Sequence, residues 1–467
     1  MTRIAIDDPE ACIALFIRIL KGLVPDILGP YAQKRQDSGR SSVTVIIVVI
    51  VAVSIVLMLL RPRGVAEVWW VSAGALLLVA LRLVSLRLAL HAIREGLDVY
   101  LFLIGMMLLS ALAEREGVFD WVAARAVGDA RGSAVRLFTL IYLTGVAVTM
   151  LMSNDATAVV LTPAVLAAVR RARVQPLPYL YACAMVANAA SFALPISNPA
   201  NLVVFRGHMP SLLHWLLAFG LPTLFSITAT YLALRIVFRG DLAATTPIDP
   251  RPGEEKLTTR LSTNGRLVVA GLAATVAALL LASARGMDLG WPTCLLALAV
   301  TGAVSIQARR SPLPLFAHIS WKTLGLVAAL FVLVDAMIAV GALHWATDEL
   351  ARAAALPPIL GTLAISFILG MGNNLVNNLP LGLIAGAATQ AAHLRTLMSA
   401  SVMLGIDMGS NLSVTGSLAT ILWLIALRRE GIEVSPRQYL KVGVWVMPAG
   451  MLAAVVGILL MHAVGTF

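Results

Sequence analysis

Ser153-Asn154-Asp155-Ala156-Thr157 interrupts a long apolar stretch with amide, carboxyl and hydroxyl groups. The second half of the chain has a similar interruption, Asn377-Asn378-Leu379-Pro380. A further polar break follows each one, at Ser197-Asn198-Pro199-Ala200-Asn201 and at Ser410-Asn411-Leu412-Ser413-Val414-Thr415-Gly416. Breaks at corresponding places in the two halves of a hydrophobic protein indicate the binding site of a transporter. The sequence therefore predicts a protein that moves a small solute across a membrane.

Composition places the chain in a membrane. It is 59% hydrophobic and 13% charged, with a mean hydropathy of +0.89, which is far from the composition of a soluble protein. The net charge of +11 does not indicate nucleic-acid binding, because the basic residues fall in short loops between apolar stretches, as membrane orientation requires. The three cysteines have neither disulfide nor zinc spacing, and no enzyme motif is present, so we expect no cofactor, no metal and no enzymatic activity.

The apolar stretches predict an all-α integral membrane protein. Ten are long enough to span a bilayer, at about 20 residues each, and lie near 43–60, 68–86, 98–113, 178–196, 211–238, 265–285, 288–307, 321–341, 396–427 and 438–464. Two more, 134–169 and 357–392, are broken in the middle, the second also by Gly372-Asn373-Asn374. We interpret both as re-entrant hairpins, since irregular backbone at that depth needs protein or a watery cavity around it.

Each half then has five spans and one hairpin, and this odd number inverts the second half relative to the first. The predicted organisation is an N-terminal segment, 1–42, with a helix in the membrane interface near 11–28; a first repeat, 43–238; a cytoplasmic linker, 239–264; and a second repeat, 265–467. The positive-inside rule supports this arrangement, because most Lys and Arg residues between spans fall in six connections assigned to the cytoplasm: 61–67, 114–136, 170–173, 239–266, 309–322 and 428–441.

Three acids inside apolar stretches are candidates for proton coupling, since a buried carboxylate in a span is typically functional. Asp155 lies in the first hairpin, and a helix cap is its structural alternative. Asp407 precedes the break in the ninth span, where it could instead bond freed backbone amides. Asp335 has no polar neighbours in sequence, so a bond between helices is its alternative. Aligning the two halves by sequence pairs Asp155 with Asn378 and Asp407 with Leu194.

Amides and hydroxyls at the breaks are the candidate substrate ligands. Each asparagine offers two donors and an acceptor, which suits a polyhydroxylated neutral solute, although any single one could instead tie helices together. The predicted substrate-binding residues are Asn154, Asp155, Thr157, Asn198, Asn201, Asn377, Asn378, Asp407, Asn411, Thr415 and Ser417.

These breaks resemble those of a known family. Asn154-Asp155, Ser197-Asn198, Asn377-Asn378-Leu379-Pro380 and, above all, Gly416-Ser417-Leu418-Ala419-Thr420 followed by an apolar run with Trp423 are similar to the arsenite efflux permeases (ArsB type) of the ArsB/NhaD ion transporter superfamily. The resemblance runs from about residue 43 to the end. It implies a protein of the bacterial cytoplasmic membrane that exports As(III), and often Sb(III), in exchange for protons, sometimes with a soluble ATPase subunit.

The sequence departs from that family where Asp407-Met408-Gly409-Ser410-Asn411 replaces an expected Asp-Leu-Gly-Pro-Lys. The acids still favour As(OH)3 or Sb(OH)3 over an anion, because two carboxylates in a dry site repel an anionic substrate unless they are protonated or sodium-bound. A sodium/proton antiporter is the alternative, since carboxylate, amide and hydroxyl oxygens can also cage sodium. A divalent-anion/sodium symporter is the weaker one.

Overall fold

The computed structural model describes residues 38–60, 62, 65–205, 209–243, 260–394 and 396–466. The predicted interfacial helix near 11–28 lies outside these residues, as does most of the predicted linker 239–264. Regular structure within the described residues is helical throughout.

The helices follow one another in chain order with short connections. They are α1 (Ser38–Leu60), α2 (Glu67–Ala80), α3 (Leu86–Glu95), α4 (Leu97–Arg115), α5 (Val118–Asp129), α6 (Ala134–Leu151), α7 (three consecutive segments, Asn154–Ala156, the π-helical Thr157–Leu161, and Thr162–Arg171), α8 (Leu177–Ala189), α9 (Pro199–Val204), α10 (Leu212–Val237), α11 (Arg239–Ala243), α12 (Thr263–Ala284), α13 (Gly290–Ala308), α14 (Leu313–Phe316), α15 (Trp321–Ala339), α16 (His344–Ala354), α17 (Pro358–Val376), α18 (Asn378–Ala391), α19 (Thr396–Met408), α20 (Leu418–Arg429) and α21 (Pro436–Ala463).

The all-helical membrane class is confirmed. Eight helices in the described part of the chain are long and apolar enough to cross a membrane, and three shorter apolar helices accompany them: Val43–Met58, Glu67–Ala80 and Leu177–Ala189. The predicted stretches 134–169, 357–392 and 396–427 are each divided into two helices at the polar break. The predicted stretch 178–196 contains α8 and the start of the break, and α9 begins beyond it at Pro199. Whether the two hairpins re-enter the membrane, and whether the halves are inverted, stay predictions.

The predicted span over 68–86 is wrong in its second part. Helix α2 ends at Ala80, and the chain then turns through Arg82, whose φ of 54° is left-handed. The turn is closed by a hydrogen bond from Leu83 N–H to the Leu78 carbonyl, 3.0 Å long, and Ser85 caps the next helix through Leu88 N–H at 3.1 Å. Helix α3 is therefore a separate helix that begins after this turn, although the sequence from α2 to α3 reads as one apolar run.

The described chain divides into two compact units. The first contains residues up to Leu97 together with Ser320–Glu349 and Leu383–Ala392, and the second contains Asp98–Ile319, Leu350–Gly382 and His393–Phe467. Both predicted repeats contribute to both units, so the compact units do not follow the predicted repeat boundaries. Nearly all of the predicted site residues belong to the second unit.

The two longest helices of the second unit, α10 and α21, pack against each other and support the site. Pro222 of α10 lies against Gly457 of α21, where an added Cβ would come within 2.6 Å of the proline Cα. The Met408 side chain reaches the same helix pair, because Ser226 Oγ of α10 donates to its sulfur at 3.0 Å. This contact fixes the end of α19, where Asp407 lies.

Candidate functional site

The first polar break separates α6 from α7. Ser153 is extended and caps α7, because its Oγ accepts from Ala156 N–H at 3.1 Å. Thr157 Oγ1 lies 2.8 Å from Thr149 Oγ1 of α6. Pro163 has no N–H to donate to the preceding turn, and the backbone just before it winds into a π-turn in which Thr162 Oγ1 donates to the Thr157 carbonyl at 3.0 Å.

The break between α17 and α18 consists of a single residue, Asn377. Its φ of 76° and ψ of 155° fall in a region that only glycine adopts without strain. Two bonds hold it there, one from its own N–H to the Asn373 carbonyl at 2.8 Å and one from its Nδ2 to the Thr415 carbonyl at 3.1 Å. The next residue, Asn378, donates its N–H to the Gly416 carbonyl at 3.1 Å. This helix end is therefore joined to the break that follows α19.

The break between α8 and α9 is organised by two asparagines. Asn198 Oδ1 accepts from Ala200 N–H at 3.0 Å and caps α9. Asn201 Nδ2 donates to the carbonyls of Ser191 and Leu194, at 2.9 and 3.1 Å. Asn201 thus satisfies carbonyl groups that the broken helix leaves free.

The break between α19 and α20 is organised by Asn374 of α17. Its Nδ2 donates to the carbonyls of Gly370 and Gly409, at 2.7 and 3.0 Å, and its Oδ1 accepts from both N–H and Oγ of Ser413. Gly409 is required here, because a Cβ at this position would collide with the Gly370 backbone. The following helix, α20, is capped by Ser417 Oγ, which accepts from Ala419 N–H at 3.1 Å.

Two side-chain bonds join the breaks of the two halves. Asn198 Nδ2 donates to Asp407 Oδ1 at 2.8 Å. Asn188 Nδ2 of α8 donates to Asn411 Oδ1 at 3.0 Å. All four of these side chains are buried. The end of α19 therefore contacts the break after α8, and the end of α8 contacts the break after α19.

Free amide and carboxylate oxygens lie at the breaks and at the helix ends beside them. Within the described part of the chain, six buried amide or carboxylate oxygens have no hydrogen-bond partner: the Oδ1 atoms of Asn154, Asn188, Asn201, Asn373 and Asn378, and Oδ2 of Asp407. Ser191 lies beside the Asp407 carboxylate, but its hydroxyl donates to the Asn188 carbonyl at 2.8 Å. Buried polar groups without partners are unfavourable, so this set indicates a place for a ligand that donates hydrogen bonds or carries positive charge.

Backbone carbonyls fix the orientation of two of these amides. Asn201 Nδ2 bonds backbone carbonyls, and Asn373 Nδ2 bonds the Ile406 carbonyl at 2.7 Å. A carbonyl can only accept, so in each case the nitrogen must face the backbone and the oxygen is the free atom. No Lys or Arg occurs in or around the four breaks, that is, in residues 149–162, 186–204, 370–382 and 403–420. The region is therefore rich in acceptors and has no cationic side chain of its own.

The predicted site residues separate into two groups. The structure joins Asn198, Asp407 and Asn411 in the cross-half bonds and ties Asn377 and Thr415 to each other. Ser417 and Thr157 are engaged in local bonds, Ser417 as a helix cap and Thr157 with Thr149. Asp155 is half-buried in the first turn of α7. Asp335 is buried in α15 of the first unit and has an interaction partner.

Counting positions within helices pairs the two halves differently from matching their sequence strings, and the correspondence of the halves stays a prediction. Asn154 and Asn378 both begin helices, so Asp155 corresponds to Leu379 rather than to Asn378. Helices α8 and α19 each have 13 residues, and the last but one is Asn188 in α8 and Asp407 in α19. By this count, Asp407 pairs with Asn188 instead of Leu194.

Sequence reasoning did not assign Asn188, Asn373 or Asn374 to the site. The signal for Asn188 was a single amide in an apolar span. Asn373 and Asn374 were recognised only as an interruption of the second hairpin, although both bond the break after α19.

Comparison with known proteins assigns the chain to a family. A family model described as "citrate transporter" (CitMHS) matches residues 51–406. The chain belongs to the CitMHS family. It is thus a multi-pass membrane transporter and not an enzyme, as the sequence predicted.

The individual relatives of this CitMHS protein have low sequence identity to it, but their alignments cover most of its length. An arsenical pump membrane protein of Escherichia coli is 25% identical over 422 residues, which span 84% of this chain and 92% of the relative. An uncharacterized transporter of Mycobacterium tuberculosis is 25% identical over 366 residues, 74% of this chain and 82% of the relative. The resemblance to arsenite permeases is therefore confirmed at the level of the family.

A solved structure shares the fold. The YdaH transporter of Alcanivorax borkumensis, whose crystal structure is described as having an unusual topology, superposes with a TM-score of 0.52 at 14% identity. The match covers 81% of this chain and 88% of that one. At this identity the likeness concerns the fold alone.

Proposed function

We propose that this protein exports trivalent arsenic as As(OH)3, and its antimony analogue Sb(OH)3, from the bacterial cytoplasm in exchange for protons. The observation that carries the proposal is the set of six buried oxygens without partners at the breaks. As(OH)3 is uncharged at neutral pH and has three hydroxyl groups, each of which can donate a hydrogen bond to one of these free oxygens. The name of the Escherichia coli relative, an arsenical pump, supports the same substrate.

The polar groups at the breaks argue against a polyanionic substrate such as citrate, after which the family is named. Anion sites typically use Arg, Lys or free helix N–H groups. Four helices follow a break, and three of them are capped by a side-chain oxygen that accepts from a backbone N–H of the first turn. These capping residues are Ser153, Asn198 and Ser417. No Lys or Arg occurs in the breaks. Asp407, which is fully buried, would also repel an anion whenever its carboxylate is unprotonated.

Proton exchange is assigned to the acids at the breaks. Asp407 Oδ1 is bonded to Asn198, whereas Oδ2 is free, so a proton can bind at Oδ2 without breaking a bond in the network. Asp155 at the start of α7 is the second candidate and Asp335 the third. Protonation would favour one facing state and substrate the other, which gives exchange by alternating access.

The membrane potential is sufficient to drive this exchange. For a neutral substrate, one inward proton per cycle supplies about 2.3 kcal/mol for each 100 mV. A tenfold concentration gradient of substrate requires about 1.4 kcal/mol. One proton per cycle therefore suffices for export against more than a tenfold gradient, without ATP. A soluble ATPase subunit, as the resemblance implies for some relatives, would raise this limit.

The test is uptake of As(III) into everted membrane vesicles under an imposed pH gradient, with and without ATP. We expect saturable uptake that collapses with the gradient. Asp407→Asn is expected to lose accumulation while keeping downhill exchange, because the amide keeps the size of the side chain but cannot cycle a proton. Asp129→Asn is the matched control, since Asp129 is half-exposed and pairs with Arg125. Full accumulation by both Asp155→Asn and Asp407→Asn would refute the assignment of coupling.

A sodium/proton antiporter is the second candidate, because a carboxylate and several amide oxygens also form a sodium site. A pH-sensitive dye in the same vesicles distinguishes the two functions. Proton movement on addition of Na⁺ in the absence of As(III), with no As(III) uptake, would establish the antiporter and overturn arsenite export.

A further inference from the structure

The free oxygen of Asn188 is fixed in place by a chain of bonds. Asn411 Nδ2 donates to the Met185 carbonyl at 3.0 Å, and this carbonyl can only accept. Asn411 must therefore turn its Oδ1 toward Asn188, which donates to it through Nδ2 at 3.0 Å. The Asn188 Oδ1 is left without a partner in the described part of the chain, in a side chain only 1% exposed.

Asn188 and Asp407 have the same environment in the two halves. Each is the last but one residue of a 13-residue helix that ends at a polar break. Each forms one bond to the break of the other half, Asn188 to Asn411 and Asp407 to Asn198. Each keeps one buried oxygen free. The two positions differ in that Asn188 donates its bond and stays neutral, whereas Asp407 accepts its bond and can carry charge.

We propose that Asn188 is a substrate-binding residue whose Oδ1 accepts a hydrogen bond from a hydroxyl of the substrate. This inference rests on the proposed function for the identity of the substrate. A buried amide oxygen that is unpaired in the empty protein gains a partner when a hydroxylated solute binds. Because Asn188 cannot take up a proton, it contributes to affinity and not to coupling, whereas Asp407 contributes to coupling.

The test compares wild type with Asn188→Leu, which keeps the approximate size of the side chain and removes the acceptor. Initial rates of As(III) uptake into everted vesicles should show KM raised about 2- to 12-fold, the equivalent of one neutral hydrogen bond of roughly 0.5–1.5 kcal/mol. The kcat should be little changed, since the bond is made to bound substrate and is not specific to the translocation step.

A second measurement separates binding from structure. As(III) should raise the apparent melting temperature of the purified wild-type protein, because a ligand that binds only the folded state stabilises it. Asn188→Leu lowers the melting temperature without ligand, and it should also reduce the increment caused by As(III). Ser401→Ala is the control, because Ser401 is buried in α19 and its hydroxyl donates only to the Leu397 carbonyl of the same helix. It should leave the As(III) increment at the wild-type value.

If Asn188→Leu does not fold, Asn188→Ser takes its place, because a serine hydroxyl can still donate toward Asn411 while its shorter side chain withdraws the oxygen from the site. A wild-type KM and a wild-type As(III) increment in the folded variant would overturn the role of Asn188. Absence of uptake and of any As(III) increment in wild type would instead overturn the proposed function, and the two failures are thereby distinguished.

Discussion

The backbone at Asn377 predicts an unusual order of stability between two substitutions. At most positions, alanine is more stable than glycine by about 0.5–1 kcal/mol, because glycine loses more conformational freedom on folding. Asn377 has φ 76° and ψ 155°, where a residue with a Cβ is strained by roughly 1–3 kcal/mol. Both substitutions remove the same Nδ2 bond to the Thr415 carbonyl, so the loss of that bond cancels in the comparison.

Subtracting the entropic disadvantage of glycine from the relief of strain leaves Asn377→Gly more stable than Asn377→Ala by about 1 kcal/mol. The assay is thermal unfolding of the two purified variants in the same detergent. Asn374 supplies the control, because it is helical and its Gly and Ala variants should follow the ordinary order, with alanine the more stable. An Asn377→Ala variant more stable than Asn377→Gly would refute the inference of strain at the break.

Three further predictions concern packing, surface charge and the buried thiol. Gly409→Ala should lower the free energy of unfolding by about 1–3 kcal/mol and abolish transport, because the added Cβ would collide with the Gly370 backbone. Thermal unfolding measures the loss of stability, and uptake into vesicles measures the loss of transport. Glu430→Gln should change the free energy of unfolding by at most about 1 kcal/mol, because the ion pair of Glu430 with Arg170 is half-exposed. Arg170 also donates to the Glu430 backbone carbonyl, and the substitution keeps this bond. Unfolding at low and at high salt measures the effect. Cys183→Ala should retain the wild-type KM for As(III), because the proposed site binds through oxygen; a large rise in KM would contradict this.

The sequence predicted the positions of the helices and breaks well, because apolar runs and polar interruptions report directly on a membrane environment. It failed at Arg82, where a left-handed residue ends α2 inside a run that is apolar on both sides. Hydropathy is insensitive to such a turn, since it depends on the backbone conformation of one residue.

The sequence identified some of the residues that bond across the breaks and missed others. Asn198, Asp407 and Asn411 were identified because they stand in conspicuous polar clusters. Asn188 was missed because its partner, Asn411, lies 223 positions away in sequence, and without that partner a single amide in an apolar helix has no obvious role. Pairing the halves by similar strings instead of by position within helices also led to Leu194 being matched with Asp407.

The bonds between the two halves have a consequence for the order of biosynthesis. Asn188 and Asn198 bond Asn411 and Asp407, which follow them by 223 and 209 positions. At a synthesis rate of about 5–20 residues per second, the two amides are made roughly 10–45 s before their partners. During that interval the first half is in the bilayer with polar groups that only the second half can satisfy. The completed network is thus a late product of translation, and a chain that stops before α19 presents unpaired amides by which a membrane protease or chaperone can recognise it as incomplete.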